Sequence, residues 1–266
     1  MNEFDREREL HLWSAKKWSF VTPPMRPSAA ELAFYEKALI EFCPGERANA
    51  LILGATPELR SLALKHRLRT TGCDIDAGFW RAMTLLRTIE GEEEFIHGNW
   101  LEMAEDLCFD VILGDCALAM LSWEDDRLLV PKIHALLGDG GVSIQRLLTA
   151  NEALTPNDIG PAMEAYRKDG QGLSLNLYLI FLAESLRNLF HPQMTNREFF
   201  ESTVFPHLTP AEIERQRPFL IERKFTYPRR TDLEALLERH FTVVRTAESA
   251  GPGVWGTAWM CVLKKK

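Results

Sequence analysis

The stretch Asn49-Ala50-Leu51-Ile52-Leu53-Gly54-Ala55-Thr56-Pro57-Glu58-Leu59-Arg60 decides the fold. The apolar run from Ala50 to Leu53, ended by a glycine, reads as a short buried strand. Pro57 then opens a helix expected to run to Leu68, because proline at the first helical position lacks only an N–H that a helix start leaves unpaired. Strand, tight turn and helix follow one another within twelve residues.

Downstream the same alternation repeats. A second strand is expected over Thr70 to Ile75 and a helix over Phe79 to Arg87. A third strand is expected at Phe95-Ile96-His97 and a fourth over Phe109 to Leu113. A helix near Arg127 to Leu137 and a fifth strand over Gly140 to Ile144 follow. Strands alternating with helices through short connections imply a parallel sheet covered on both faces. The alternation then stops. Leu147 to about Tyr227 reads as mostly helical, broken at Pro156, Pro161, Gly170-Gln171-Gly172, Pro192, Pro206, Pro210 and Pro218. It resumes with a helix over Thr231 to Arg239 and strands over Phe241 to Val244 and Trp255 to Leu263. With only a loop between them, those two strands should pair antiparallel. Upstream, Ser28 and Glu31 form a capping-box pattern, followed by Leu32, Tyr35, Leu39 and Phe42 at helical spacing. The expected plan is an N-terminal helical segment (1–45), an α/β core (46–146 and 229–266) and a helical insertion (147–228). The insertion should cap the carboxyl ends of the strands, where ligands bind in open α/β sheets.

Composition bounds the function. The 266 residues are 46% hydrophobic and 26% charged, with a net charge of -7, so a phosphate backbone is repelled and nucleic acid is excluded as a partner. The five cysteines (Cys43, Cys73, Cys108, Cys116, Cys261) are odd in number and never spaced C-x-x-C. Neither a disulfide framework nor a metal site is expected, and reduced thiols point to a cytoplasmic protein. The charged N-terminus from Met1 to Glu9 is not a secretory signal. The longest charge-free stretch, Ser249 to Leu263, holds three glycines and a proline. It falls short of the roughly 20 apolar residues of a membrane span, so no membrane association is expected.

The quoted turn resembles the first motif of class I S-adenosylmethionine-dependent methyltransferases. Gly54 matches the first glycine of that family's turn, while Thr56 and Glu58 stand at its other glycine positions and Ile52 at its acidic strand position. Asp74, in Gly72-Cys73-Asp74-Ile75-Asp76, matches the acidic residue that takes the ribose hydroxyls, a pairing suited to a carboxylate; its alternative is capping the next helix, a role that Asp76 fits better. His97-Gly98-Asn99-Trp100 resembles the adenine-contacting segment, with Asn99 where Asp is usual. Trp100 either lies against the ring face or starts a core-facing helix. Phe109-Asp110-Val111-Ile112-Leu113-Gly114-Asp115 resembles the fourth-strand motif, and the Gly140-Gly141 turn and terminal strand pair also match. The resemblance spans about Asn49 to Ile144 and Thr231 to Leu263. It implies a Rossmann-like, mostly parallel seven-stranded sheet with an antiparallel last strand. It also implies S-adenosylmethionine as cofactor, with Gly54, Ala55, Thr56, Asp74, Ile75, Asn99, Trp100 and Asp115 around it.

In such an enzyme the driving force is in the cofactor, and the protein supplies position and exclusion of water. Asp115 is the candidate catalytic group, taking a proton from an acceptor or anchoring it; the alternatives are that it binds the methionine moiety or caps a turn. Trp13 and Trp18 could cover the ligands or belong to the core. Tyr178 and His191 are candidate acceptor-side residues, Tyr178 equally a core residue. A helical cap and an acidic body suit a small organic acceptor, and Gly114-Asp115-Cys116-Ala117 is not the Asn-Pro-Pro-Tyr type of tetrapeptide of base-methylating enzymes. A homodimer stays open. Two other functions remain. One is an NAD-dependent oxidoreductase, since Asp74 follows Gly54 by 20 residues, although G-x-G-x-x-G is absent. The other is a non-catalytic regulatory or binding protein on the same fold.

Overall fold

The computed structural model describes residues 16, 18, 21, 23, 26–43, 45, 47–104, 106–169, 175–217, 226–249 and 257–266. Helix α1 (Ala29–Phe42) starts as the sequence requires: Ser28 N donates to Glu31 Oε2 at 2.6 Å and Glu31 N to Ser28 Oγ at 3.3 Å, a closed capping box. The alternating core follows as β1 (Asn49–Leu53), α2 (Pro57–Lys65), β2 (Arg69–Asp74), α3 (Ala77–Thr84), β3 (Glu93–His97), β4 (Phe109–Asp115), α4 (Trp123–Leu136) and β5 (Leu137–Thr149). Helix α2 stops three residues before the expected Leu68, because Arg67 turns into the left-handed region at φ 55°. Helix α4 begins four residues earlier than expected. Ser122 Oγ accepts from Asp125 N at 3.1 Å, and Glu124, Asp125 and Asp126 occupy the first turn, where acidic residues complement the helix dipole.

β5 is the larger surprise. It runs to Thr149, past the expected end at Ile144, so the helical segment starts at Ala150 rather than Leu147. That segment contains α5 (Ile159–Asp169), α6 (Leu175–Phe190) and α7 (Pro210–Gln216). The chain then returns through α8 (Arg230–His240), β6 (Phe241–Glu248) and β7 (Thr257–Lys265). The seven strands lie in the order β3-β2-β1-β4-β5-β7-β6. β1 to β5 are parallel, and β7 runs antiparallel to both β5 and β6. This is the Rossmann-like sheet with a reversed last strand that the sequence pattern calls for.

The register explains the unbroken apolar run of β1. Ala50 and Ile52 face α1 and α2, packing with Tyr35, Leu39, Leu59, Leu62 and Val111. Leu51 and Leu53 face α4 and α8, packing with Ile112, Leu129, Ile133, Leu237 and Trp259. A strand covered on both faces has no polar side. The helical segment has its own core of Met163, Leu179, Leu182, Leu186, Phe199 and Phe200, which reaches the sheet through Cys116, Ala119, Leu148 and Ala258. It thus seats on the turn after β4 and the end of β5. All five cysteines are free, and no helix among the described residues is long and apolar enough to cross a membrane.

Candidate functional site

β2 and β4 flank β1 on opposite sides, so the strand order reverses at the carboxyl end of β1, the position of the ligand crevice in open α/β sheets. Gly54 opens the turn there at φ 93°, a conformation that a side chain makes strained. A Cβ on Gly54 would stand 3.7 Å from Cζ2 of Trp100 and 3.9 Å from Oδ2 of Asp74. The turn that opened the sequence reading therefore has a carboxylate and an indole directly beside it.

Each neighbour is fixed by its own local structure. Trp100 Nε1 donates to the Cys73 carbonyl at 2.7 Å, which pins the ring across the end of β2. Asp74 Oδ1 accepts from Asp76 N at 2.8 Å, and burial raises the Asp74 pKa more than its backbone hydrogen bonds lower it. Asp76, not Asp74, caps α3, accepting from Phe79 N at 2.8 Å. Ile75 is held out with 63% of its surface exposed, an apolar side chain beside the crevice. Asn99 Oδ1 accepts from Leu101 N at 3.1 Å and caps the single 3-10 turn Trp100–Glu102, so the oxygen expected to meet adenine also serves its own turn. Ala55 is buried in the cluster of Trp80, Ala82 and Met83, which leaves its backbone as the part available to a ligand.

On the other side of Gly54, Thr56 occupies the N-cap position of α2 but makes no side-chain cap. Its hydroxyl donates instead to Asp115 Oδ2 at 3.3 Å, joining the β1 turn to the end of β4. Asp115 was expected to accept a proton or hold an acceptor. Arg146 Nε donates to Asp115 Oδ1 at 2.5 Å, and the two side chains are 1% and 4% exposed, arginine first. Asp115 therefore has both oxygens engaged within the protein and ties the β1 turn to Arg146 on β5.

Arg146 also reaches Glu31, donating from Nη1 to Oε1 at 3.4 Å, and Ser249 Oγ donates to the same Glu31 oxygen at 2.6 Å. Burial works to raise the Glu31 pKa, but the Arg146 charge and the Ser249 and Ser28 hydrogen bonds outweigh it and hold it below the usual carboxylate value. Tyr35 OH donates to the Gly114 carbonyl at 2.6 Å, and the Gln145 amide packs directly on Gly114, where a Cβ would lie 1.9 Å from its oxygen and force the amide to shift. Cys116 follows Asp115 at φ 56°, unusual for a residue with a side chain, and burial pushes its thiol pKa up. The network of Glu31, Tyr35 and Arg146 was not anticipated as part of a site. The available signal was an arginine in the strand-like run Val142 to Leu148, where Val142, Ile144, Leu147 and Leu148 are apolar.

The remaining expected residues separate. Trp18 is half-buried with its ring edge-on to Phe79 at 6.0 Å, packed against the cluster that holds Ala55. Trp13 and the side chain of Tyr178 lie outside the described residues. His191 closes the end of α6 against Phe199, ring centroids 5.6 Å apart, within the helical segment rather than at the strand ends. One unexpected group stands out. Asp126 is 0% exposed on the sheet-facing side of α4, and neither carboxylate oxygen has a hydrogen-bond partner. Burial, reinforced by Asp125 and Glu124, pushes its pKa up to about 9.

No family model matches the sequence, and no curated protein matches it. Solved structures do. N-methyltransferase NodS from Bradyrhizobium japonicum WM9, in complex with S-adenosyl-L-homocysteine, is 10% identical with a TM-score of 0.53 over 96% of this chain and 98% of its own. The chain has the fold of S-adenosylmethionine-dependent methyltransferases. The 1,6-didemethyltoxoflavin-N1-methyltransferase of Burkholderia thailandensis, with bound 1,6-didemethyltoxoflavin and S-adenosylhomocysteine, is 14% identical with a TM-score of 0.51, over 88% of this chain and 76% of its own. A Rhodobacter sphaeroides chain provisionally described as a Zn-dependent alcohol dehydrogenase is 18% identical with a TM-score of 0.64 over the whole of both chains. Identities this low establish shared architecture, and activity has to be argued from the site. Here the insertion of reversed β7 between β5 and β6 departs from the 3-2-1-4-5-6 order of dinucleotide-binding sheets. Among the described residues, no group of three His, Cys, Asp or Glu side chains could hold a metal ion.

Proposed function

We propose that the protein transfers a methyl group from S-adenosylmethionine to a small organic acceptor. The observation that carries this reading is the left-handed Gly54 turn at the strand-order reversal, with Asp74 Oδ2 on one side and the Trp100 indole beside it. The residues present suit the cofactor. The bare Gly54 backbone admits close approach, and Asp74 can accept from a pair of ribose hydroxyls while its other oxygen stays on Asp76 N. Exposed Ile75 and pinned Trp100 offer apolar surface for an adenine ring. When bound, the cofactor supplies an electrophilic methyl group on a sulfonium, so the protein needs no nucleophile of its own.

What remains for the chain is alignment and exclusion of water. Well-aligned partners can lower a barrier by roughly 7–11 kcal/mol, enough to explain catalysis without a dedicated base. The acidic surface argues against a nucleic-acid acceptor. The helical segment packs on Cys116, Ala119 and Leu148 beside the end of β4, which supports a small acceptor rather than a macromolecular one. Calorimetric titration with S-adenosylmethionine, S-adenosylhomocysteine and NAD tests the reading. Micromolar binding of the first two is the expected result. Binding of NAD alone would replace it with an oxidoreductase, and binding of none would leave a regulatory protein on this fold.

A further inference from the structure

The Glu31–Arg146–Asp115 group carries an unequal count of charges: two carboxylates share one guanidinium. Among the described residues, one negative charge is therefore left over. It is not dispersed by solvent, because Glu31, Arg146 and Asp115 are 2%, 1% and 4% exposed. A buried uncompensated charge is costly unless something of opposite sign comes to meet it.

The sheet indicates where that something would sit. Asp74, on β2, takes the nucleoside end of the cofactor under the methyl-transfer reading, on which this inference rests. Neighbouring strands lie about 4.8 Å apart, so a ligand extended from β2 across Gly54 arrives at Thr56 and Asp115 on β4 with its sulfur-bearing end. We propose that the surplus negative charge of Glu31, Arg146 and Asp115 selects the sulfonium form of the cofactor over the neutral thioether left after methyl transfer. The α-amino and α-carboxylate groups are common to both molecules and cancel in the comparison. A unit charge placed a few ångströms from a surplus charge, at an effective dielectric near 20, changes affinity by at least about tenfold. The spent cofactor is thus bound more weakly than the fresh one, and product release is favoured by charge.

Glu31→Gln isolates the effect. It removes the surplus charge, while glutamine at the third helical position still closes a capping box with Ser28. The measurement is the ratio of calorimetric affinities for S-adenosylmethionine and S-adenosylhomocysteine, a quantity that general weakening of the fold does not move. The native protein should prefer S-adenosylmethionine by about tenfold or more. Glu31→Gln should lower that preference about tenfold, mainly by weakening S-adenosylmethionine. Glu36→Gln, on the same helix but paired with Lys65 at the surface, should leave the ratio unchanged. Equal or tighter binding of S-adenosylhomocysteine by the native protein overturns the inference without any variant, and so does an unchanged ratio in Glu31→Gln. Failure of the native protein to bind either molecule overturns the methyl-transfer reading itself and this inference with it.

Discussion

Replacing Asp126 by asparagine should change how stability depends on pH. The carboxyl group is fully buried without a partner, and its pKa is pushed from 3.8 to about 9. A folded pKa above the unfolded one means that the folded protein holds a proton which the unfolded chain releases. The contribution to stability is therefore complete below about pH 4 and is lost steadily until about pH 9. Each pH unit in that window removes about 1.4 kcal/mol, so about 4 kcal/mol is lost between pH 5 and pH 8. That is a large share of the roughly 5–15 kcal/mol that holds a domain folded. Asparagine has nearly the same shape and does not titrate. Urea unfolding followed by tryptophan fluorescence at both pH values should show the variant gaining on the native protein by about 4 kcal/mol from the lower to the higher. Parallel pH profiles for the two proteins would refute the reasoning, because they would mean that Asp126 ionises in place or finds a partner.

Four further variants probe the strand ends. Gly54→Ala places a side chain at φ 93° and should destabilise the fold by roughly 1–2 kcal/mol in urea unfolding, with a parallel loss of cofactor binding by calorimetry. Asp74→Ala should weaken S-adenosylmethionine by roughly 1–3 kcal/mol while leaving the unfolding midpoint close to native, and unchanged affinity would remove Asp74 from the ribose. Arg146→Met strands two buried carboxylates and should cost about 3–5 kcal/mol of stability, whereas Tyr35→Phe leaves only the Gly114 carbonyl unpaired and should cost about 1–3 kcal/mol in the same measurement.

The sheet was legible because its signals are local. An apolar run such as Ala50 to Leu53 announces a strand buried on both faces, and Gly54 with Pro57 marks the turn and the helix start. Ser28 with Glu31 likewise specifies the beginning of α1 within four residues. On the β2 side the turn at the strand ends was legible, because Gly54 follows β1 directly and Asp74 ends β2. On the β4 side the deciding contacts are distant in sequence: Arg146 and Glu31 are 115 residues apart. No local pattern shows that a carboxylate at position 115 will meet a guanidinium instead of a ligand. The same cause hid the length of β5. Gln145-Arg146 looks like the polar end of a strand, yet both side chains are buried, and Arg146 is tolerated there only because its partners arrive from elsewhere. The Glu124-Asp125-Asp126 run misled for the opposite reason: it resembles solvated loop, but its charges suit the first turn of α4.

Glu31 does two jobs with one carboxylate, closing the start of α1 through Ser28 and holding Arg146 at the end of β5. Beside it, Tyr35 from the same helix reaches the last carbonyl but one of β4. The N-terminal helix is thus not an appendage that evolution or an engineer could exchange as a module. A chain trimmed to begin at the first strand would lose one of the two anions around Arg146 and the hydroxyl on Gly114. The boundary drawn between helical prelude and α/β core is one of sequence order only, and in physical terms the core begins before its first strand.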